Sequence, residues 1–347
     1  MLDENLKRLC AALTGGEVRT PADDLFELAR EHRVDALLAY RTGARDRLRV
    51  AAAHALSGER DAIEICEASH RHGIDVLLLK GAALAYTHYA EPHLRPHADI
   101  DLLIRRDDLD RAAAMLAALR YARANEADAE LWTGQRHYVK ADVSGAAMVD
   151  LHWRASNPLA FADALSFDEV WPRSVMVPAL SPHARTLGPA DSLLLACVHR
   201  VAHHQDGIDL LWLWDIHMLA SRMSLDEMAV FTSTAIRAKQ AAVCARGLTL
   251  ARECFSTAVP STVLSELGAP ADEPSAAFVG AAFSAFDIAR EDMAALSSWG
   301  ARANLAREHL FPPLAYMRLR YPRWPSALLP LAYIYRVARG APGWFSR

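Results

Sequence analysis

The sequence predicts an α/β (α+β) fold in which a small mixed sheet is flanked by N-terminal helices and a C-terminal helical domain. Three observations carry this. Apolar residues recur at three- and four-residue spacing before residue 70 and again after residue 189; a short continuous apolar run, Val76-Leu77-Leu78-Leu79, follows Gly73; and two acids alternate with aliphatic residues from Asp99. The first pattern is that of amphipathic packing helices, the second that of a strand covered on both faces, the third that of a strand with one polar edge.

The elements follow in order. Leu6, Leu9, Cys10 and Leu13, then Leu25, Leu28, Ala29 and Val34, mark two helices, the second opened by Thr20-Pro21-Ala22-Asp23. Threonine caps, proline suits the first helical position and acids favour the first turn. Residues 50–72 continue as a helix that Gly73 ends in the left-handed conformation. Strands are expected at 76–79, 99–104, 136–140 and 147–153, helices at 82–89 and 107–119, and a loop at 92–97. Beyond Pro189, helices are expected at 191–204, 208–221, 225–239, 241–255 and 274–291. Three regions result: an N-terminal helical segment (1–70), an α/β core (71–180) and a C-terminal helical domain (181–347).

With 347 residues, 52% of them hydrophobic and 23% charged, the chain has ordinary globular composition and enough length to bury a full core. A net charge of −4 lacks the basic excess that phosphate-backbone binding demands, so nucleic acid is not the default partner. Cys10, Cys66, Cys197, Cys244 and Cys254 form no C-x-x-C pair, and the start of the chain lacks a basic-then-apolar signal, so a cytoplasmic location with reduced thiols is expected. From Ala301 onward eight arginines meet one acid, Glu308, among tyrosines and tryptophans. The plain reading is a surface helix pair with solvated arginines; the functional one is a docking surface for an acidic partner, a nucleic acid or an anionic membrane face.

The chemistry concentrates at Asp99-Ile100-Asp101. On a strand the two carboxylates share a face, their α-carbons roughly 6.6 Å apart, while Ile100, Leu102 and Ile104 enter the core. Like charges so close resist joint ionisation, a conflict that a divalent cation resolves. Met148-Val149-Asp150-Leu151-His152-Trp153 offers a third carboxylate, Asp150, on a neighbouring strand, and His152 on the same side as a substrate contact. His199, His203 and His204 fall on one helix, without the H-E-x-x-H signature of a zinc site, and read as structural or as polar contacts to a ligand.

Lys80-Gly81 after an apolar strand, Arg95 with Asp99-Ile100-Asp101-Leu102-Leu103, Val149-Asp150-Leu151-His152-Trp153 and the downstream Leu187-Gly188-Pro189-Ala190-Asp191 and Leu213-Trp214-Asp215-Ile216 resemble the uncharacterised nucleotidyltransferase family of the polymerase-β-like superfamily, over about residues 70 to 220. The resemblance implies a nucleotidyltransferase-like core and transfer of a nucleoside monophosphate from an NTP to an unidentified acceptor, with Mg²⁺ or Mn²⁺. Asp99 and Asp101 would bind metal at the triphosphate, and Asp150 would complete the site and orient or deprotonate the acceptor hydroxyl. Gly81 would let the backbone approach phosphate. Ala82 stands where the superfamily usually has serine or glycine, so Lys80 or Arg95 would supply the phosphate contact. The same acids also suit γ-phosphoryl transfer, as in a kinase, or a nucleotide-binding module that has lost catalysis.

Overall fold

The computed structural model describes residues 2–16, 23–124, 134–142, 145–162, 164–269, 273–280, 283–325 and 328–345. Seven strands form one mixed sheet: β1 (Val76–Leu78), β2 (Asp99–Ile104), β3 (Ala122–Arg123), β4 (Gln135–Asp142), β5 (Gly145–His152), β6 (Val175–Met176) and β7 (Arg185–Thr186), in the order β3-β4-β5-β2-β1-β7-β6. The pairs β2–β5 and β1–β7 are parallel and the others antiparallel. Helices cover both faces, which is the α/β class expected.

Period-2 alternation explains the two layers. Leu78, Ile100, Leu102, Ile104, Val149 and Leu151 point to one side, into a core with Ile65 of the long helix Arg45–Arg71 and with Met115 and Leu116 of the helix Leu109–Ala118. Leu77, Leu79 and Leu103 point to the other side, into a core shared with Leu193, Leu194 and Val198 of the helix Pro189–Ala202. Asp99 and Asp101 therefore sit at the polar end of a face whose apolar end, Leu103, is packed against the C-terminal helices.

That second core runs further. It joins Leu9 and Leu13 of the helix Glu4–Leu13 and Leu37 and Leu38 of Asp35–Thr42 to Leu213, Phe231 and Leu248 of the helices Leu210–Ala220, Leu225–Arg237 and Ala241–Phe255. Burying these side chains stabilises by about 1.5–3 kcal/mol each, so helices that precede and follow the sheet in sequence are held together by one apolar interior.

Gly73 does end the helix Arg45–Arg71, at φ +61. The single helix expected at 274–291 is interrupted. A 3₁₀ turn, Pro274–Phe278, precedes Gly280 at φ +72, and Ser284 and Asp287 build a reciprocal cap that starts a new helix, Ala285–Ala295. The start signal at Thr20-Pro21-Ala22 lies outside the described residues. Among those described, no helix is long and apolar enough to cross a membrane, and all five cysteines are free and buried.

Candidate active site

β5 lies beside β2 in a parallel register that pairs Asp101 with Asp150 and Asp99 with Met148. Residues paired across neighbouring strands share a face, so a sequence separation of 49 positions closes to a single sheet step. The turn after β1 supplies the counter-charge. Lys80 adopts φ +49, a conformation that costs a non-glycine residue about 1–3 kcal/mol, and its Nζ lies 2.6 Å from Asp101 Oδ1. The His152 ring Nε2 lies 2.8 Å from the same oxygen. On the neighbouring strand, His137 Nδ1 lies 2.6 Å from Asp150 Oδ1.

The two acids of β2 are in opposite electrostatic states. Burial alone would raise the Asp101 carboxyl, but Lys80 and His152 outweigh it and hold the group well below the usual carboxylate range. Asp99 is pushed up, first by burial and then by the charges of Asp101 and Asp150. Its hydrogen bond to Asp150 raises His137. Ligand atoms of Asp101, Asp150 and His152 all lie within 4.8 Å of one another, and the two carboxylates of this cluster are the oxygen donors that fit a hard divalent cation; Asp99 is not part of it.

Two expected substrate contacts have other partners. His152 is buried and its Nε2 lies against Asp101, so it braces that carboxylate. Arg95 was expected to touch phosphate, but its guanidinium is buried and committed: Nε and Nη2 donate to Asp215 at 2.7–3.0 Å, and Nη1 donates to the Pro96 carbonyl. Tyr89 Oη donates to the same Asp215 at 2.6 Å. Gly81 is needed for close packing of this loop. A Cβ there would stand 2.7 Å from His97 Cβ and 3.0 Å from Arg95 Nη1. Gly81→Ala is expected to push away the segment leading into Asp99, costing about 1–3 kcal/mol in a denaturant melt; a melt identical to that of the unaltered protein would contradict this packing role.

A cavity of about 370 Å³ opens over the carboxylates, within the range of small-ligand sites. Lys80, Gly81, Arg95, Asp99, Asp101 and Asp150 line it together with Arg33, His199, His203, His204 and Trp212. The helix Pro189–Ala202 carries His199 and ends at His203. His204 stacks on Trp212 at 3.4 Å, with Arg33 4.3 Å from that indole. Burial, then nearby cations, pushes His203 down to about 3 and His204 to about 4.

These imidazoles give the fold a pH dependence whose sign is fixed. Between pH 6.5 and 4 the unfolded chain binds protons that the folded one refuses, so stability falls as pH falls. His203 is exposed and His204 partly so, and solvent screening holds the contribution of each to under about 1 kcal/mol between pH 7 and 5. Denaturant melts at the two pH values check this: His203→Leu should reduce the difference, and an unchanged difference would contradict it.

Nothing local in the sequence ties Asp215 to Arg95, 120 positions away. His137 had no signal beyond its place on a strand. A family model described as "Uncharacterised nucleotidyltransferase" matches residues 20–256. A search of curated proteins finds no match.

Proposed function

The chain belongs to the uncharacterised nucleotidyltransferase family, and from that premise we propose that it transfers a nucleoside monophosphate from an NTP to a hydroxyl-bearing acceptor in the cavity over Asp99, Asp101 and Asp150. The observation that carries this reading is the β2–β5 register, which pairs Asp101 with Asp150 beside a cationic Lys80.

Asp101 and Asp150, with Asp99 beside them, would hold a divalent cation, magnesium or manganese. When bound it would neutralise the triphosphate and favour the departing pyrophosphate. Lys80 gives a charge-assisted hydrogen bond to a phosphate oxygen. The helix Lys80–Thr87 has no capping side chain at Leu79, so the N–H groups of its first turn are suited to the same anion. Asp150 accepts the proton of the acceptor hydroxyl, held in orientation by His137. The acceptor oxygen bonds to the α-phosphorus as the bond between that phosphorus and the bridging oxygen to the β-phosphate breaks, and pyrophosphate leaves. His152, behind Asp101, keeps that carboxylate fixed.

The test uses NTP labelled at the α- or γ-phosphate, incubated with magnesium and a mixed panel of sugars, peptides and RNA. Label from the α-position on an acceptor supports nucleotidyl transfer. Label from the γ-position would overturn it in favour of phosphorylation, and NTP binding without transfer of either label would leave a binding module.

A further inference from the structure

The C-terminal part of the chain, beyond the residues that the family model matches, carries a surface that the proposed chemistry does not use. The helix Leu329–Phe345 packs Leu329 and Ala332 against Met317 of the helix Leu314–Arg320. Its other side is also apolar. Leu331, Ile334 and Tyr335, at the i, i+3, i+4 spacing of one helix face, are exposed, Ile334 at 67%. On the helix Trp299–Leu310 and just after it, Trp299 is 83% and Phe311 64% exposed. Phe311 also lies 6.2 Å from Tyr333 of the helix Leu329–Phe345, so the two exposed apolar segments adjoin, and such a patch marks a surface that something covers.

Charge says what covers it. From Ala301 onward there are eight arginines and one acid. The guanidinium hydrogen bonds of Arg302, Arg307, Arg336 and Arg339 end on neutral oxygens: the Leu296 carbonyl, the Asn304 amide, the His309 carbonyl and the Tyr335 hydroxyl. Their positive charge is thus not cancelled by those partners, and Arg318, Arg320 and Arg323 are exposed. A second copy of this surface would set arginines against arginines. A folded acidic protein would need pockets shaped to several separately protruding side chains, whereas a bilayer accepts such side chains in any arrangement. Tryptophan, tyrosine and arginine beside aliphatic residues are also the composition that sits at headgroup level.

We propose that this C-terminal surface docks the enzyme on an anionic lipid bilayer, with Ile334 and its apolar neighbours entering the headgroup boundary and the arginines meeting lipid phosphates and carboxylates.

The test is co-sedimentation of the full chain, without nucleotide, with phosphatidylcholine vesicles and with vesicles that also contain phosphatidylserine. Binding to the second kind only, falling as salt is raised, is expected. Arg318→Ala and Arg323→Ala should each weaken it roughly five-fold, and Ile334→Ser on the order of ten-fold. These residues are exposed, and an unchanged melting temperature separates lost docking from lost fold. Absence of binding, or equal binding to both vesicles, would overturn the proposal. So would tight binding to polyglutamate that is indifferent to Ile334→Ser, or self-association that this variant abolishes.

Discussion

Asp150→Asn is expected to lower nucleotide turnover by about a thousand-fold or more while leaving the fold in place. The magnitude follows from the proposed role: a group that would hold a catalytic cation and take the acceptor's proton would govern several kcal/mol of transition-state stabilisation, and 1.36 kcal/mol is a factor of ten in rate. The preserved fold follows from the surroundings. Among the described residues the side-chain partner of Asp150 is His137, which is 47% exposed and can turn to water when the charge is removed. Asp101 is a less clean probe. On strand alternation alone Asp99 and Asp101 are equivalent members of a pair. In the structure Lys80 and a fully buried His152 both bond to Asp101, and an alanine there strands two polar groups in the interior. Steady-state pyrophosphate release by Asp150→Asn, beside its thermal melt, checks the claim. Turnover within ten-fold of the unaltered enzyme would remove Asp150 from the chemistry.

The largest effect on stability belongs to Asp215. Its carboxylate receives Arg95 through two guanidinium nitrogens and Tyr89 through its hydroxyl, and both members of the ion pair are about 5% exposed. Removing one partner of a buried pair leaves a charge that water cannot reach, at a cost of about 3–5 kcal/mol. Asp215→Ala is therefore expected to lose that much in urea unfolding. Arg95→Met combined with Asp215→Ala should regain part of it, because the stranded guanidinium is gone. The pair also links the helix Leu210–Ala220 to the loop before Asp99, so turnover should fall beyond what the loss of folded protein explains. A loss under 1 kcal/mol for Asp215→Ala would contradict the burial argument.

What the sequence reveals here is what local periodicity encodes. The β2 strand and the shared face of Asp99 and Asp101 follow from alternation, and the helix Ala241–Phe255 from apolar spacing. The end at Gly73 follows from the one residue that takes a positive φ without strain. What stays hidden is set by long-range geometry. The two-residue strands β6 and β7 are too short to show any period. Arg95 looks like a phosphate ligand until the fold brings Asp215 to it. His152 lies on the expected side of its strand, yet Asp101 already occupies its ring nitrogen. In each case a polar side chain has several chemically sensible partners, and hydrogen-bond partners, unlike faces of a strand, are chosen by topology.

The most direct measurement is calorimetric titration of a non-hydrolysable NTP analogue into the protein with manganese, with a chelator instead, and into Asp150→Asn with manganese. Convergent carboxylates that hold a cation under the triphosphate predict binding in the first case and a loss of at least ten-fold in the other two. Equal affinity in all three would mean that the nucleotide does not lie over Asp101 and Asp150.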